Sequence, residues 1–226
     1  MKTLFLAVAC LALLLAPVHA QATDFEGTLQ VRFTKGDSSY EGVCSLKTGL
    51  LRLDTEARGM AVSAIVDLKK MEASLLMPAA QMHMVLPLKN AATQAVADAD
   101  GATLEDTRVV EKILGHACTK YLVKTRSSQV TEIWAAGDLG NFVSLSLLSQ
   151  LTHRQGQAGA QWESVLKDKA LFPLRVVTRE ADGSVASRFE ILAIAPKPLT
   201  ADVFQAPPGF RQVDMGSMLQ ALIGGE

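Results

Sequence analysis

Apolar and polar side chains alternate with period two along most of the chain, and this alternation constrains the fold more than any other feature. Between residues 25 and 33 every second residue is apolar or glycine, and Thr28, Gln30 and Arg32 lie between them. Successive side chains of a strand point to opposite faces of a sheet, so the pattern indicates a strand with one buried face. Turn-forming stretches such as Lys35-Gly36-Asp37 follow at short intervals. Because parallel neighbours need long crossovers, the pattern predicts an antiparallel meander.

Ten further segments have the same strand pattern. They lie at residues 39–46, 50–55, 61–67, 73–77, 81–86, 107–113, 116–125, 129–136, 174–180 and 185–194. Three segments have helical periodicity instead, at residues 139–153, 161–169 and 215–223. Residues 89–105, rich in Ala and Asp, are interpreted as a helix or a mobile insertion across one side of the sheet. This mixture of strands and helices indicates a single α+β domain.

Residues 1–22 have the features of a cleavable signal peptide. Lys2 precedes an apolar run at residues 4–16, and small residues allow cleavage after Ala20 or Ala22. That run is shorter than the roughly 20 residues that a membrane-spanning helix needs, and no later segment is long and apolar enough. The sequence therefore predicts a periplasmic protein, with a mature domain at residues 23–226 and no transmembrane segment after cleavage.

Charge and motifs exclude several function classes. The chain has 22 Lys and Arg against 23 Asp and Glu, without a concentrated basic face, which argues against a nucleic-acid partner. It has no His-Glu-x-x-His, no Gly-x-Ser-x-Gly and no glycine-rich phosphate loop. We therefore expect no enzymatic activity and no cofactor.

Two cysteines, Cys44 and Cys118, remain once Cys10 is removed with the signal peptide. An even number of cysteines in an oxidising compartment favours a disulfide. Two unpaired thiols are the alternative.

Leucine and methionine side chains on one side of the meander, together with the helix at 139–153, predict a site for a hydrophobic ligand. Flexible thioethers adapt to variable apolar surfaces. The candidate residues are Leu51, Leu53, Leu75, Met77, Met82, Met84, Trp134, Phe142, Leu145 and Leu148. The alternative is that they only fill a core, since protein cores are normally packed without voids.

Met82-His83-Met84 has the ligand types that Cu(I) prefers. On a strand, however, the two thioethers point one way and the imidazole the other. Copper binding through Met82 and Met84 is therefore an alternative function, with no metal site assigned.

Two patches of residues carry a family resemblance. The run from Ile113 to Tyr121, ILGHACTKY, followed by Glu132-Ile133-Trp134 and Asp138-Leu139, resembles a family of exported bacterial domains of unknown function. The ending from Phe204 to Phe210, FQAPPGF, is similar to that of proteins related to the lipoprotein carriers LolA and LolB. His116 departs from the family pattern, which often has Tyr there.

The resemblance implies a strongly curved antiparallel sheet, a half-barrel, with two or three helices on its concave side. It also implies a gap between sheet and helices that holds acyl chains. We therefore expect a periplasmic, non-enzymatic binding protein for a lipid or a lipoprotein acyl chain. An envelope protein-interaction or sensor module with a closed core is the alternative.

Overall fold

The computed structural model describes residues 24–57, 59–88, 103–124, 129–140, 162–163, 165–166 and 169–214. Within these ranges the protein is built mainly of strands. They are β1 (Gly27–Lys35), β2 (Ser38–Lys47), β3 (Leu50–Ala57), β4 (Met60–Asp67), β5 (Glu72–Met77), β6 (Met82–Pro87), β7 (Thr103–Ile113), β8 (His116–Lys124), β9 (Val130–Ala136), β10 (Phe172–Arg179), β11 (Val185–Pro196) and β12 (Arg211–Gln212). Two short 3₁₀ helices lie at Pro78–Ala80 and Ala201–Phe204.

All of these strands belong to one sheet, in the order β12-β6-β5-β4-β3-β2-β1-β11-β10-β9-β8-β7. The first six strands extend outward from β1 as successive hairpins. The chain then enters the opposite edge at β7 and builds back toward the centre, where β11 pairs antiparallel with β1. The two halves of the chain therefore meet at β1 and β11. The strands farthest from this pairing, β6 with β12 on one side and β7 on the other, form the two edges.

All eleven predicted strands are present, with ends shifted by a few residues at most strands. The predicted fold class is nevertheless wrong. The structure is mostly β, its sheet is not strongly curled, and the described residues contain no helix of seven or more residues. The sheet is also mixed, because β12 runs parallel to β6. Alternation shows which face of a strand is buried, but curvature depends on twist and bulges, which alternation does not report.

The predicted helices lie largely outside the described residues. Of the helix at 139–153, only Leu139 and Gly140 are described, and neither is helical. The segment at 161–169 contains helical residues at 162–163 and 165–166, whereas 215–223 lies outside the described ranges. The described part of the insertion at 89–105, residues 103–105, belongs to β7. No described helix is long and apolar enough to cross a membrane.

The central hydrophobic core contains side chains from both halves of the sheet. Its fully buried members include Leu29, Leu46 and Leu51 from the first half and Phe172 and Leu174 from the second. Burying a side chain of this size contributes roughly 1.5–3 kcal/mol. The core therefore joins the halves on either side of the β1–β11 pairing.

A C-terminal segment, residues 197–210, lies over β3 to β5 on one face of the sheet, before the chain joins the sheet edge as β12. Leu199 and Phe204 are buried against Ile65 and Leu76 there. These contacts cover a face that β3 to β5 would otherwise expose.

Polar contacts anchor the beginning of this segment. One Glu26 carboxylate oxygen accepts hydrogen bonds from the Leu199 N–H at 2.6 Å and from Lys47 Nζ at 3.0 Å. Lys47 Nζ also donates to the Leu199 carbonyl at 2.6 Å, and Arg52 donates to the Val203 carbonyl at 3.0 Å. The anchor therefore fixes the course of the chain toward β12.

Candidate functional site

The strand registers place six of the predicted ligand residues on one face of the sheet. Leu75 lies opposite Ala64 on β4 and opposite Met84 on β6, and Met77 lies opposite Met82. Alternation along each strand extends this face. We call it the methionine face; its predicted members are Leu51, Leu53, Leu75, Met77, Met82 and Met84.

Met77 and Met84 form a cluster of their own near the β6 edge, distinct from the central core. Both side chains are buried, and Leu75, Leu86 and Val213 pack against them. We call this group the methionine cluster. Since thioether side chains have several rotatable bonds, they can repack around ligands of different shape.

Leu51 and Leu53 have a different role in the structure. Leu51 is fully buried in the central core, and Leu53 packs against that core. Leu75 contacts both the central core and the methionine cluster. The leucines therefore lie toward the central core, and the methionines lie nearest to the β6 edge.

An open cleft of about 540 Å³ lies beside the methionine cluster. The cleft is open to solvent, and its lining includes polar as well as apolar side chains. Its lining residues are Met84, Val85, Leu86, Gln212, Val213 and Asp214.

Strand β12 bounds the cleft, although it pairs with only two residues of β6. The Arg211 N–H donates to the Gln81 carbonyl at 2.8 Å, and the Val213 N–H donates to the His83 carbonyl at 2.9 Å. The Arg211 guanidinium lies 3.5 Å from Met82 Sδ. A cationic group therefore lies beside the row of thioethers.

Trp134 lies apart from the methionine cluster and packs against the central core. It lies on β9 in register with Lys120 and Arg175. Lys120 Nζ is 4.9 Å and Arg175 Cζ is 5.2 Å from the ring centroid. The neighbouring residue Ile133 belongs to the row that continues from the methionine face, so Trp134 points to the other face. The remaining predicted members, Phe142, Leu145 and Leu148, lie outside the described residues.

The predicted disulfide is absent from the structure: Cys44 and Cys118 are both free and buried. Their strands, β2 and β8, are five strand steps apart in the sheet. At about 4.8 Å per step this is roughly 24 Å measured along the sheet, although both side chains belong to the central core. Burial raises the pKa of the Cys44 thiol to about 12 and also raises the pKa of Cys118. Both are therefore poor nucleophiles at neutral pH.

The geometry argues against copper at the Met82-His83-Met84 motif. His83 points to the face opposite the two methionines, and its buried Nδ1 has no hydrogen-bond partner. The Arg211 guanidinium already contacts Met82 Sδ and would repel a metal cation. Among the described residues, no group of three or more His, Cys, Asp or Glu side chains is arranged to hold a metal ion.

A second, smaller cleft of about 340 Å³ lies near the β7 edge. Its lining residues are Leu104, Asp106, Tyr121, Lys169 and Leu171. Beneath it, Trp162 and Leu166 are buried against Val123, Ile133 and Val176.

Sequence reasoning missed the contribution of Leu86, Arg211 and Val213 to the site. Leu86 lies in a predicted strand, and its place on the methionine face follows from the same alternation as Met84. Arg211 and Val213 follow Pro207-Pro208-Gly209, which the sequence indicates only as a turn. Their short alternation was the available signal.

The chain matches the profile of a protein family described as "Domain of unknown function (DUF4412)" over residues 25–210. No curated protein matches it by sequence.

Solved structures show what the fold resembles. An uncharacterized conserved protein from Thermus thermophilus is 11% identical, with a TM-score of 0.51 over 82% of this chain and 88% of that chain. MucB from the Pseudomonas aeruginosa MucA/MucB complex is 13% identical, with a TM-score of 0.48 over 80% of this chain and 55% of that one. A "putative outer membrane lipoprotein-sorting protein domain" from Vibrio parahaemolyticus is 9% identical, with a TM-score of 0.31 over 79% and 88% of the two chains.

The family match confirms the predicted resemblance to a family of domains of unknown function, and the structure from Thermus thermophilus shows a similar fold. The chain spans just over half of the MucB chain. At these identities and TM-scores the comparisons transfer no ligand, partner or activity.

Proposed function

The chain belongs to the DUF4412 family, a domain of unknown function, and from this premise we propose that it is an exported, periplasmic, non-enzymatic binding protein for a lipid or another acyl chain. The proposed site is the methionine cluster at the β6 edge. The observation that carries the proposal is the separation of this cluster from the central core, next to an open cleft of about 540 Å³.

The chemistry of the cluster supports an apolar ligand. Its side chains offer thioethers and aliphatic groups, and Gln212 and Asp214 add polar groups to the cleft beside them. A ligand that displaces water from such surface gains about 25 cal/mol for each Å² of apolar area buried. Because methionine adapts its shape, the site would accept acyl chains of several lengths.

A fluorescent fatty acid added to delipidated protein tests the proposal. We expect saturable binding that weakens severalfold in Leu86→Gln, because this change removes apolar surface from the cleft wall. Leu122→Gln is the matched control: Leu122 is also half-buried, lies on β8 and lines neither cleft. Absence of saturable binding, or equal weakening in the control, would contradict the proposal.

An envelope protein-interaction module is the second candidate, and one observation favours it. The edge strand β7 exposes Val109 (54%) and Val110 (62%). Exposed strand edges can accept a strand from a partner. However, a bulge between Asp106 and Val110 interrupts the ladder at this point, and bulges of this kind protect edges from pairing. A crosslinked partner that is lost in the Val109→Thr/Val110→Thr variant, without loss of fatty-acid binding, would favour this candidate.

A further inference from the structure

Among the described residues, Arg211 is the one charged side chain that donates a hydrogen bond to a methionine sulfur. Its guanidinium lies 3.5 Å from Met82 Sδ. Its partner strand β6 carries Met82 and Met84 on the same face, and Val213, two residues further along the chain, packs on the methionine cluster. Residues two apart on an extended chain share a face. Arg211 and Val213 therefore lie over the methionine face. Gln212 is in register with His83 and belongs to the opposite face, although Gln212 and Asp214 both line the cleft.

We infer that the ligand of the methionine cluster is an anionic amphiphile, an acyl chain ending in a carboxylate or phosphate that Arg211 binds. This inference rests on the proposed function and deepens it. The chain of such a ligand would lie along Met84 and Leu86, with its head at Met82, where the guanidinium lies.

The present partner of Arg211 is a weak one. A thioether sulfur is a poor hydrogen-bond acceptor, whereas a guanidinium has five N–H donors in a planar fork. Carboxylates and phosphates accept two parallel bonds from this fork, and such charge-assisted bonds are about twice as strong as neutral ones. An anionic head would therefore replace a weak contact by a strong one.

The Arg211 guanidinium is available to an anionic head group. Among the ion pairs formed within the described ranges, none includes Arg211. The nearest acidic residue along the chain, Asp214, lines the cleft three residues beyond Arg211 and makes an interaction of its own. Arg211 itself is exposed, so a head group can reach it from solvent.

Displacement of the neutral dye Nile red from delipidated protein tests the inference. The competitors share one oleoyl or oleyl chain and differ in the head: oleic acid, oleoyl lysophosphatidic acid, oleyl alcohol and methyl oleate. We expect the two anions to compete on the order of tenfold better than the neutral pair, as for a hydrogen bond to a charged group. The acid and phosphate arms show which anion is preferred.

Variants separate the head from the chain. Arg211→Gln should abolish the preference for anions and leave the affinity for oleyl alcohol unchanged. Arg108→Gln, which removes an exposed arginine from the β7 edge, is the matched control and should bind like the wild type. Equal competition by all four compounds, or an undiminished preference in Arg211→Gln, would overturn the inference but leave the proposed function intact. If none of the four displaces the dye and the dye itself does not bind saturably, the proposed function fails with it.

Discussion

At the β6 edge the hydrophobic cluster consists of methionines and leucines beside an open cleft, whereas at the β7 edge it is built around Trp162, which is buried against strands β8 to β10. The edge strands also differ. A two-residue parallel strand pairs with part of β6, while β7 is interrupted by its bulge. One edge therefore combines adaptable side chains with partial cover, and the other combines a rigid aromatic with a protected strand.

This difference indicates how one sheet can divide stability and binding between its ends. A buried aromatic ring contributes a large apolar area in a fixed shape. Methionine contributes a similar apolar character but changes shape at little cost. We therefore expect substitutions at the β7 edge to change stability most, and substitutions at the β6 edge to change ligand binding most.

The largest expected effect is that of Trp162→Ala. Removing a buried Trp side chain from a core lowers the free energy of unfolding by about 3–5 kcal/mol. Urea unfolding measures this loss, and at low urea, where the variant is folded, its affinity for the fluorescent fatty acid should equal that of the wild type. If fully folded Trp162→Ala bound the fluorescent fatty acid more weakly than the wild type, the two edges would not be separate in function.

The double variant Met77→Leu/Met84→Leu should have a smaller effect on stability. Leucine has nearly the volume of methionine, and such exchanges usually cost less than about 1.5 kcal/mol. The loss of flexible thioethers should nevertheless narrow the range of acyl-chain lengths that bind. Calorimetric titration with fatty acids of increasing length measures this range; an unchanged range would show that methionine flexibility does not matter at this edge.

Acid should weaken the attachment of residues 197–214 to the sheet, because protonation removes the charge of the Glu26 carboxylate that binds Leu199 and Lys47. The Leu199 N–H, and then Lys47, lower the pKa of the Glu26 carboxyl from its ordinary value of 4.5. A lowered folded-state pKa means that the unfolded chain binds the proton more tightly, so this stabilisation is complete at neutral pH and is lost as the pH falls below about 4.5. Limited proteolysis of residues 197–214 across this range should show increasing cleavage.

The Glu26→Gln variant is the control for that experiment. It cannot ionise, so the component of the pH dependence that comes from this carboxyl should disappear. Acid-induced cleavage that is the same in wild type and Glu26→Gln would contradict the assignment.

The smallest expected effect is that of reductant on thermal stability. A bridge between Cys44 and Cys118 would tie the two halves of the sheet together, but both thiols are free. We therefore expect the same Tm with and without reductant. Alkylation in denaturant, without prior reduction, should modify both cysteines of the mature protein; a mass that shows neither modified would contradict the structure.

The sequence predicts the strands well, and it also predicts which residues of a strand share a face, because both depend on local alternation. Met77 and Met84 share a face in the structure because side chains alternate between the two faces along β5 and β6. Trp134 packs against the central core and is not in the methionine cluster. Alternation within β9 does not tell which of its faces continues a face four or more strands away. That relation depends on the pairing of β1 with β11 and on the strands between.

The disulfide prediction failed for a related reason. Cysteine count and compartment say nothing about sheet order, and the chain passes from the β6 edge to the β7 edge between Cys44 and Cys118. Arg211 was missed because β12 is only two residues long. A strand of two residues can be identified from its pairing with a neighbouring strand, here β6, but not from its own sequence.

Photoaffinity labelling tests most directly whether the methionine cluster is the ligand site. Delipidated protein would be irradiated with a diazirine-bearing fatty acid, digested and analysed by mass spectrometry. We predict saturable labelling within residues 82–87 and 211–214 that unlabelled oleic acid suppresses. Labelling that concentrates instead at Leu104, Tyr121 and Leu171 in the β7 cleft, or that does not saturate anywhere, would contradict this account.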